Sequence, residues 1–248
     1  LTYTATLERD DVSDRMGPNN IVMTWRDDKT IVYRSRRIEH NDFIGQLFTA
    51  SVDGGVPEQL PLPRGGFCSF SPDGKQMAYN RVFREFRTWK RYRGGQADDI
   101  WIYDIGRGLL SRLTFGWGNN NAPVWSADGR FVFYSAEKGK VANIYRKAWD
   151  GSGQEERFTE SPNPQAPVDV SADGRFLSFN ENGDIWILPL DSSGSGSKQA
   201  PFPFIHTQAE ERLGHFSPDG RWMSYVSNES GRPEVYVVGF PSAEGRRQ

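Results

Sequence analysis

One short stretch decides how this chain folds, Phe70-Ser71-Pro72-Asp73-Gly74-Lys75, because the chain repeats it. Three further copies stand at residues 125–130 (WSADGR), 170–175 (VSADGR) and 216–221 (FSPDGR), and a degenerate copy without the glycine stands at residues 25–29 (WRDDK). The aligned aspartates, at separations of 45, 55, 45 and 46 residues, are Asp28, Asp73, Asp128, Asp173 and Asp219. Repeats of this length are typical of the four-stranded blades of a β-propeller.

The chemistry of the stretch favours a tight turn between two strands. Proline or alanine suits a negative φ, Asp73 can bond the neighbouring backbone, and Gly74 supplies a positive φ. Each turn is followed by β-forming residues such as 131–134 (FVFY), then by a third strand such as 184–188 (DIWIL) and a short outer strand. Because no segment has a sustained helical period, we predict an all-β fold, a five-bladed β-propeller of four-stranded antiparallel blades.

The two ends of the sequence suggest how such a ring closes. Residues 245–248 (GRRQ) followed by Leu1-Thr2 parallel residues 54–59 (GGVPEQ) followed by Leu60-Pro61. We therefore expect residues 1–248 to form a single domain in which the N-terminal strand completes the last blade and removes an exposed edge. The predicted blade units are residues 20–62, 66–115, 122–160, 167–203 and 212–248 plus 1–8. The predicted core between blades includes Trp25, Phe70, Trp101, Trp125, Trp186, Phe216 and Tyr236.

Composition excludes several classes of protein. No apolar run approaches the roughly 18 residues of a membrane span, so we expect no membrane contact. The N-terminus Leu1-Thr2-Tyr3-Thr4 lacks the pattern of a secretion signal, which leaves the compartment open. The single cysteine, Cys68, excludes an internal disulfide and a thiolate zinc site, and we expect no metal and no cofactor. A net charge of −2 gives no global attraction to nucleic acid.

The repeats resemble the propellers of TolB-like and tricorn-type proteins, whose blades carry the same Ser-Pro-Asp-Gly turn. Residues 80–95 (NRVFREFRTWKRYRGG) with 98–104 (DDIWIYD) are similar to the propeller of tricorn-like serine peptidases. From about residue 106 the chain resembles a generic TolB-like propeller instead, for example at residues 227–237 (SNESGRPEVYV). This difference, together with a count of five blades, suggests a recombined or engineered chimera with a change of ancestry near residue 105.

Catalytic residues are harder to find than the fold. The sequence has no nucleophile elbow, no His-Glu-x-x-His motif and no phosphate-binding loop. The peptidase machinery of tricorn-like proteins lies outside the propeller, so the resemblance implies no catalytic residue here. Asp98, Asp99 and Asp184 start third strands and would suit a five-bladed glycosidase if they faced a central funnel. We favour a structural role for them, because they recur with the repeat.

The sharpest local feature is a basic and aromatic insertion within the second unit. It interleaves phenylalanine, tryptophan and tyrosine with six cations against one acid, Glu85, and the matching loop of the first unit adds three arginines and His40. Such a surface suits anions or acidic peptides, and nucleic acid less well. The candidate ligand-binding residues are Arg34, Arg36, Arg37, Arg81, Arg84, Arg87, Trp89, Lys90, Arg91 and Arg93. Salt bridges to acids of the same rim, among them Glu160, Glu210 and Glu211, would explain the arginines without a ligand.

These observations leave three hypotheses for function. The first is a non-enzymatic scaffold or interaction module that contacts peptide or protein at the loop-bearing rim. The second, implied by the resemblance, is the substrate-gating propeller of a tricorn-like peptidase without its catalytic domains. The third is a five-bladed glycoside hydrolase. We expect a monomer, with a domain-swapped dimer as the alternative.

Overall fold

The fold was determined from a computed structural model, which describes residues 20–36, 45–81, 98–115, 119–191 and 199–248. These residues contain strands, turns and bends only, and none of their segments is a helix that could span a membrane. The strands form five antiparallel sheets. The predicted fold class, an all-β five-bladed propeller, is therefore confirmed.

The chain divides into two compact units, residues 1–117 and 118–248. The first unit contains blades one and two. The strands of blade one are β1 (Ile21–Trp25), β2 (Thr30–Ser35), β3 (Gln46–Ser51) and β4 (Glu58–Gln59). Those of blade two are β5 (Cys68–Phe70), β6 (Gln76–Asn80), β7 (Ile100–Asp104) and β8 (Leu109–Arg112). In both blades neighbouring strands pair in chain order.

The second unit contains blades three, four and five. Blade three consists of β9 (Asn120–Trp125), β10 (Phe131–Ala136), β11 (Asn143–Ala148) and β12 (Glu156–Arg157). Blade four consists of β13 (Gln165–Val170), β14 (Phe176–Glu181), β15 (Asp184–Pro189) and β16 (Phe202–Ile205). Blade five has three named strands, β17 (Glu211–Phe216), β18 (Trp222–Ser227) and β19 (Glu234–Gly239).

The repeated turn has the same hydrogen bonds in each full copy. In blade two the Ser71 hydroxyl donates to Asp73 Oδ1 at 2.7 Å and accepts the Gln76 amide at 2.9 Å, while Asp73 accepts the Lys75 amide at 3.1 Å. Gly74 has a φ of 67°, and its amide donates to the Ser71 carbonyl at 2.8 Å. The serine and the aspartate therefore act together, because each accepts a hydrogen bond from a backbone amide that the other does not bind.

In the degenerate turn of blade one, the residue that the sequence alignment matches to Asp73 is not the one that takes its structural place. Asp27, and not Asp28, accepts the Lys29 amide, at 3.0 Å, as Asp73 accepts that of Lys75. The bond from the Arg26 amide to the Thr30 carbonyl closes this turn one residue sooner than in the other blades. The turn of blade one is therefore shorter by one residue and lacks the serine–aspartate pair. Asp27 is the structural counterpart of the aspartates in the other four turns.

Apolar packing between successive blades supplies the core of each unit. In the first unit Val32 and Leu47 of blade one cluster with Met77 of blade two. In the second unit Ile144 of blade three clusters with Leu177 of blade four. Ile185 and Ile187 of blade four cluster in turn with Met223, Tyr236 and Val238 of blade five. Within blades, stacked pairs of rings join second to third strands: Tyr33–Phe48, Tyr134–Tyr145, Phe179–Trp186 and Tyr225–Tyr236.

The core prediction is correct for most residues and wrong for one. Trp125 and Tyr236 are buried, and Phe70, Trp101, Trp186 and Phe216 pack partly buried against the clusters. Trp25 is 55% exposed. The reason lies in its neighbour: the Trp125 ring stands 6.1 Å from that of Trp149, whereas the position equivalent to Trp149 in blade one holds Val52, which is itself 57% exposed.

The outer edge of blade five is occupied in part by the last residues of the sequence. The Val237 amide donates to the Arg247 carbonyl, and the Arg247 amide donates to the Val237 carbonyl, both at 2.8 Å. Residues 1–8, which we expected at this edge, lie outside the described residues. Ring closure by that segment stays a prediction, as does a single domain over residues 1–248.

Candidate functional site

Two of the predicted ligand-binding arginines are buried in the first unit. Arg34, in β2, is 1% exposed, and Arg36, which follows the strand, is also buried. Gly45 makes room for the Arg34 side chain, because a Cβ at that position would come within 2.6 Å of Arg34 Nε. The Arg34 side chain is thus buried beside Gly45, where it contributes to packing as well as charge.

Arg81 contributes to the aromatic packing of blade two. Its guanidinium carbon lies 5.0 Å from the centre of the Trp101 ring, in cation–π contact. The same arrangement recurs in the second unit, where Lys138 lies over Tyr145 at 5.4 Å and Arg246 over Tyr236 at 4.6 Å. Beside Arg81, burial raises the pKa of Tyr79 to about 12. A cation above the third-strand aromatic is thus a recurring feature that the sequence motif did not reveal.

The other candidate ligand residues fall outside the described part of the chain. They are Arg37, Arg84, Arg87, Trp89, Lys90, Arg91 and Arg93. Among the acids that were expected to pair across the rim, Glu160 lies 3.2 Å from Arg157 and Glu210 lies 3.2 Å from Arg212. Glu211 accepts a hydrogen bond from the Thr207 hydroxyl. These three acids therefore bind close neighbours in the sequence of their own unit.

Two of the three aspartates that would suit a glycosidase, Asp99 and Asp184, have structural partners. Asp99 Oδ2 lies 2.5 Å from Arg112 Nη2, and Asp99 Oδ1 accepts the Thr114 hydroxyl at 3.1 Å. Thr114 in turn accepts the Ile100 amide at 2.9 Å, which ties the outer strand to the start of β7. Asp98 is 1% exposed. The carboxylate of Asp99 thus orders the edge of blade two, as the structural interpretation predicts.

Asp184 has an equivalent position in blade four. Its Oδ2 lies 2.9 Å from Nδ1 of His206, the residue after β16, and the Asp184 side chain is only 9% exposed. The other described histidine, His215, lies with Nδ1 3.6 Å from Asp169 Oδ2, which also accepts the Phe216 amide at 2.9 Å. Each histidine therefore lies beside a carboxylate that links two segments of the sheet structure. Among the described residues, no group of three or more histidine, cysteine or acidic side chains is arranged to hold a metal ion.

A polar network that the sequence did not single out surrounds Glu181 in blade four. Glu181 accepts hydrogen bonds from the Ser161 hydroxyl, from Asn163 Nδ2 at 3.2 Å and from Gln165 Nε2 at 2.7 Å. Gln165 accepts the Thr159 hydroxyl, and Thr159 accepts the Ile144 amide of blade three at 3.1 Å. The network joins the outer strand of one blade to the inner strand of the next. Its members stand at strand ends and in loops, with Glu181 far from the others in the sequence, so only the fold brings them together.

Comparison with known proteins identifies the family of this architecture. The model of the tricorn protease N-terminal β-propeller domain matches residues 1–194. The chain belongs to this family. It is also 30% identical over 191 residues to the uncharacterised protein Atu1656 of Agrobacterium fabrum, a match that covers 73% of this chain and 61% of that protein. It is 32% identical over 152 residues to a putative tricorn protease homologue of Streptomyces coelicolor, where the match covers 61% of this chain and 12% of the homologue.

Solved structures share the fold of this propeller at low sequence identity. TolB from Acinetobacter baumannii has a TM-score of 0.67 at 22% identity, and the match covers 89% of this chain and 51% of TolB. The crystal structure of the tricorn protease has a TM-score of 0.57 at 13% identity, over 92% of this chain and 26% of the protease. The resemblance to TolB-like and tricorn-type propellers is confirmed, and the propeller spans only part of the length of these relatives.

The family match also bears on the proposed change of ancestry near residue 105. The match continues to residue 194 and so crosses that position, and the alignment to Atu1656 covers 73% of the chain. The comparisons therefore give no support to a chimeric or engineered origin.

Proposed function

We propose that this chain is the non-catalytic, peptide-contacting propeller of a tricorn-like peptidase. The observation that carries the proposal is the family match over residues 1–194. It is supported by the positions of Asp99 and Asp184, whose carboxylates are engaged by Arg112 and His206 within their own blades. In this role the propeller contacts peptide, and the hydrolytic chemistry resides in another part of the protein.

The residues expected to contact peptide are those of the basic and aromatic insertion. The cations Arg84, Arg87 and Arg91 attract acidic peptides through charge, and the interleaved aromatic rings add stacking and cation–π contacts. Of the other candidate ligand residues, Arg34 is buried in blade one and Arg81 lies over the Trp101 ring of blade two.

A second candidate function is an interaction module without any link to a peptidase. The specific observation in its favour is structural similarity, because the TM-score to TolB, 0.67, exceeds that to the tricorn protease, 0.57. In that case the same surface contacts a folded protein instead of an extended peptide.

Two assays on the purified chain test the proposal. Quenched fluorescent peptides and aryl glycosides should not be hydrolysed, and turnover that co-purifies with the chain would contradict a non-catalytic role. At low salt, acidic peptides should raise the melting temperature of the wild type. They should not do so for the triple variant Arg84→Ser, Arg87→Ser, Arg91→Ser.

A matched control removes the same charge elsewhere. The variant Lys29→Ser, Lys75→Ser, Lys140→Ser neutralises three exposed lysines and should retain the thermal shift. An equal loss in both triple variants would show that net charge alone, and not the insertion, attracts the peptide.

A further inference from the structure

The outer strand of blade two, β8, differs from the outer strands of the other blades. In blades one and three these strands are two residues long and charged or polar, Glu58–Gln59 and Glu156–Arg157. In blade four, β16 carries Pro203, which lacks an amide donor. β8 is four residues long, all four are exposed, and two of them are leucines. Sheet edges of soluble proteins are usually shortened, charged or interrupted by proline, and β8 has none of these protections along its leucines.

The register of β8 shows which backbone groups face away from the sheet. The Leu113 amide donates to the Ile100 carbonyl at 2.9 Å, and Trp101 stands opposite Arg112. In an antiparallel ladder the hydrogen-bonded residues alternate, so Ser111 and Leu109 also face β7. The amide and carbonyl groups of Leu110 and Arg112 therefore point outward, and among the described residues no strand pairs with them. In blades one and three, only one residue of the outer strand has its amide and carbonyl groups pointing outward.

The side chains around this edge set the chemistry of a partner. Leu109 is 61% exposed and Leu110 43%, and alternation places them on opposite faces of the strand. At the N-terminal end of β8 the Arg107 side chain is 78% exposed and only loosely paired, 3.9 Å from Asp104. At the other end Arg112 is held 2.5 Å from Asp99. The edge is thus apolar at its two leucines, beside the weakly paired Arg107, whereas Arg112 at the other end is neutralised by Asp99.

We propose that β8 binds an extended peptide by β-augmentation, as an additional antiparallel strand with apolar side chains and an acidic C-terminal end. Antiparallel addition continues the order of the blade, β5-β6-β7-β8, and brings the C-terminal end of the peptide to Arg107. Main-chain hydrogen bonds to Leu110 and Arg112 supply the affinity, the two leucines receive alternate side chains, and Arg107 fixes the direction. This edge lies outside the basic insertion, so the inference does not rest on the proposed function.

Fluorescence anisotropy with the full chain tests this inference directly. The probe is the amidated, fluorescein-labelled octapeptide Ser-Thr-Val-Thr-Val-Ser-Asp-Asp, and the control is the reversed sequence, which carries its acids at the N-terminal end. The forward peptide should bind about threefold more tightly than the reversed one, and Arg107→Ser should remove the difference. Equal affinity of both peptides for the wild type, or no binding at all, would overturn the proposal.

Two substitutions at Leu110 distinguish the contribution of the backbone amide to peptide binding from that of the side chain. Leu110→Pro removes an outward amide while the inward ladder through Leu109, Ser111 and Leu113 is retained, whereas Leu110→Ala retains the amide and loses only the apolar side chain. We expect Leu110→Pro to weaken peptide binding about tenfold more than Leu110→Ala does. Melting temperatures of both variants serve as the control for folding.

Two further outcomes would decide against a peptide at β8. Equal peptide affinity of the Leu110→Pro and Leu110→Ala variants, both folded, would show that the backbone edge is not used. Sedimentation velocity would reveal a second copy as the occupant, if the wild type dimerises with concentration and Leu110→Pro does not. The triple arginine variant of the insertion should retain full affinity for the octapeptide, so loss of the proposed function and loss of this inference are distinguishable.

Discussion

Blades four and five place similar residues at the same position of the third strand and bury them very differently. Ile185, the second residue of β15, is fully buried, whereas Val235, the second residue of β19, is 62% exposed. The difference lies in the neighbour that follows. Gly214 and Met223 of blade five pack against Ile185, and Val235 lies on the last of the three sheets in its unit. In a repeat fold, burial at a given position is therefore a property of the next repeat as much as of the strand itself.

The largest expected effect tests this difference directly. Ile185→Ala leaves a cavity between blades four and five and should lower the free energy of unfolding by about 3 kcal/mol. Val235→Ala removes an exposed side chain and should change it by less than about 0.5 kcal/mol. Urea unfolding followed by tryptophan fluorescence measures both values. If both substitutions lower the free energy of unfolding equally, the contact between blades four and five does not stabilise the protein as we expect.

The next prediction approaches the same contact from blade five. A Cβ at Gly214 would stand 2.9 Å from Ile185 Cγ2 and 3.0 Å from Met223 Sδ, so Gly214→Ala should destabilise the protein by about 2 kcal/mol through overpacking. A Cβ at Gly139 would meet no atom within 4 Å, and Gly139 has no positive φ, so Gly139→Ala is the matched control, with an expected change within about 0.5 kcal/mol. A double variant Ile185→Ala, Gly214→Ala should partly restore stability, because the smaller side chain leaves room for the added methyl group.

The smallest expected effect concerns a feature that the two blades share. In blade five the Ser217 hydroxyl donates to Asp219 at 2.5 Å and the Arg221 amide donates at 3.0 Å, and these bonds lower the pKa of Asp219 to about 2. Because the folded pKa lies below the unfolded one, near 3.9, the carboxylate stabilises the fold above that unfolded pKa and this contribution is lost as the pH falls toward 2.

Urea unfolding between pH 7 and pH 2 should therefore show wild type and Asp219→Asn converging at low pH. Asp173→Asn in blade four should behave in the same way, since that turn has the same bonds, from Ser171 at 2.7 Å and from the Arg175 amide at 3.0 Å. A marked difference between the two variants would mean that the turns, like the third strands, depend on the neighbouring blade.

The fold was predictable from the sequence because its evidence is local and repeated. The serine, aspartate and glycine of each turn bond within six residues, so four copies of the motif were enough to locate most of the strands. The errors arose where a contact depends on a distant residue. The exposure of Trp25 follows from Val52 at the position of Trp149, and the choice of Asp27 over Asp28 follows from a shortened turn.

The site was less predictable for the same reason. Charge density in the sequence made Arg34 and Arg81 candidate ligand residues, but it could not show that one is buried beside Gly45 and the other lies over Trp101. The open edge of β8 was likewise hidden, because Leu109 and Leu110 are ordinary strand residues until their register is known. Residue types suggest chemistry, but the partner of each group is decided by tertiary pairing.

The repeated turn also has a consequence for the order of folding events. Its bonds, from Ser71 to Asp73 and to Gln76 for example, link groups at most five residues apart in the chain. Closing so short a loop takes on the order of 100 ns or less, and a hairpin forms within about 10 μs, long before distant strands meet. Each blade thus has its own starting point for folding, and the slow steps are those that bring one blade against the next.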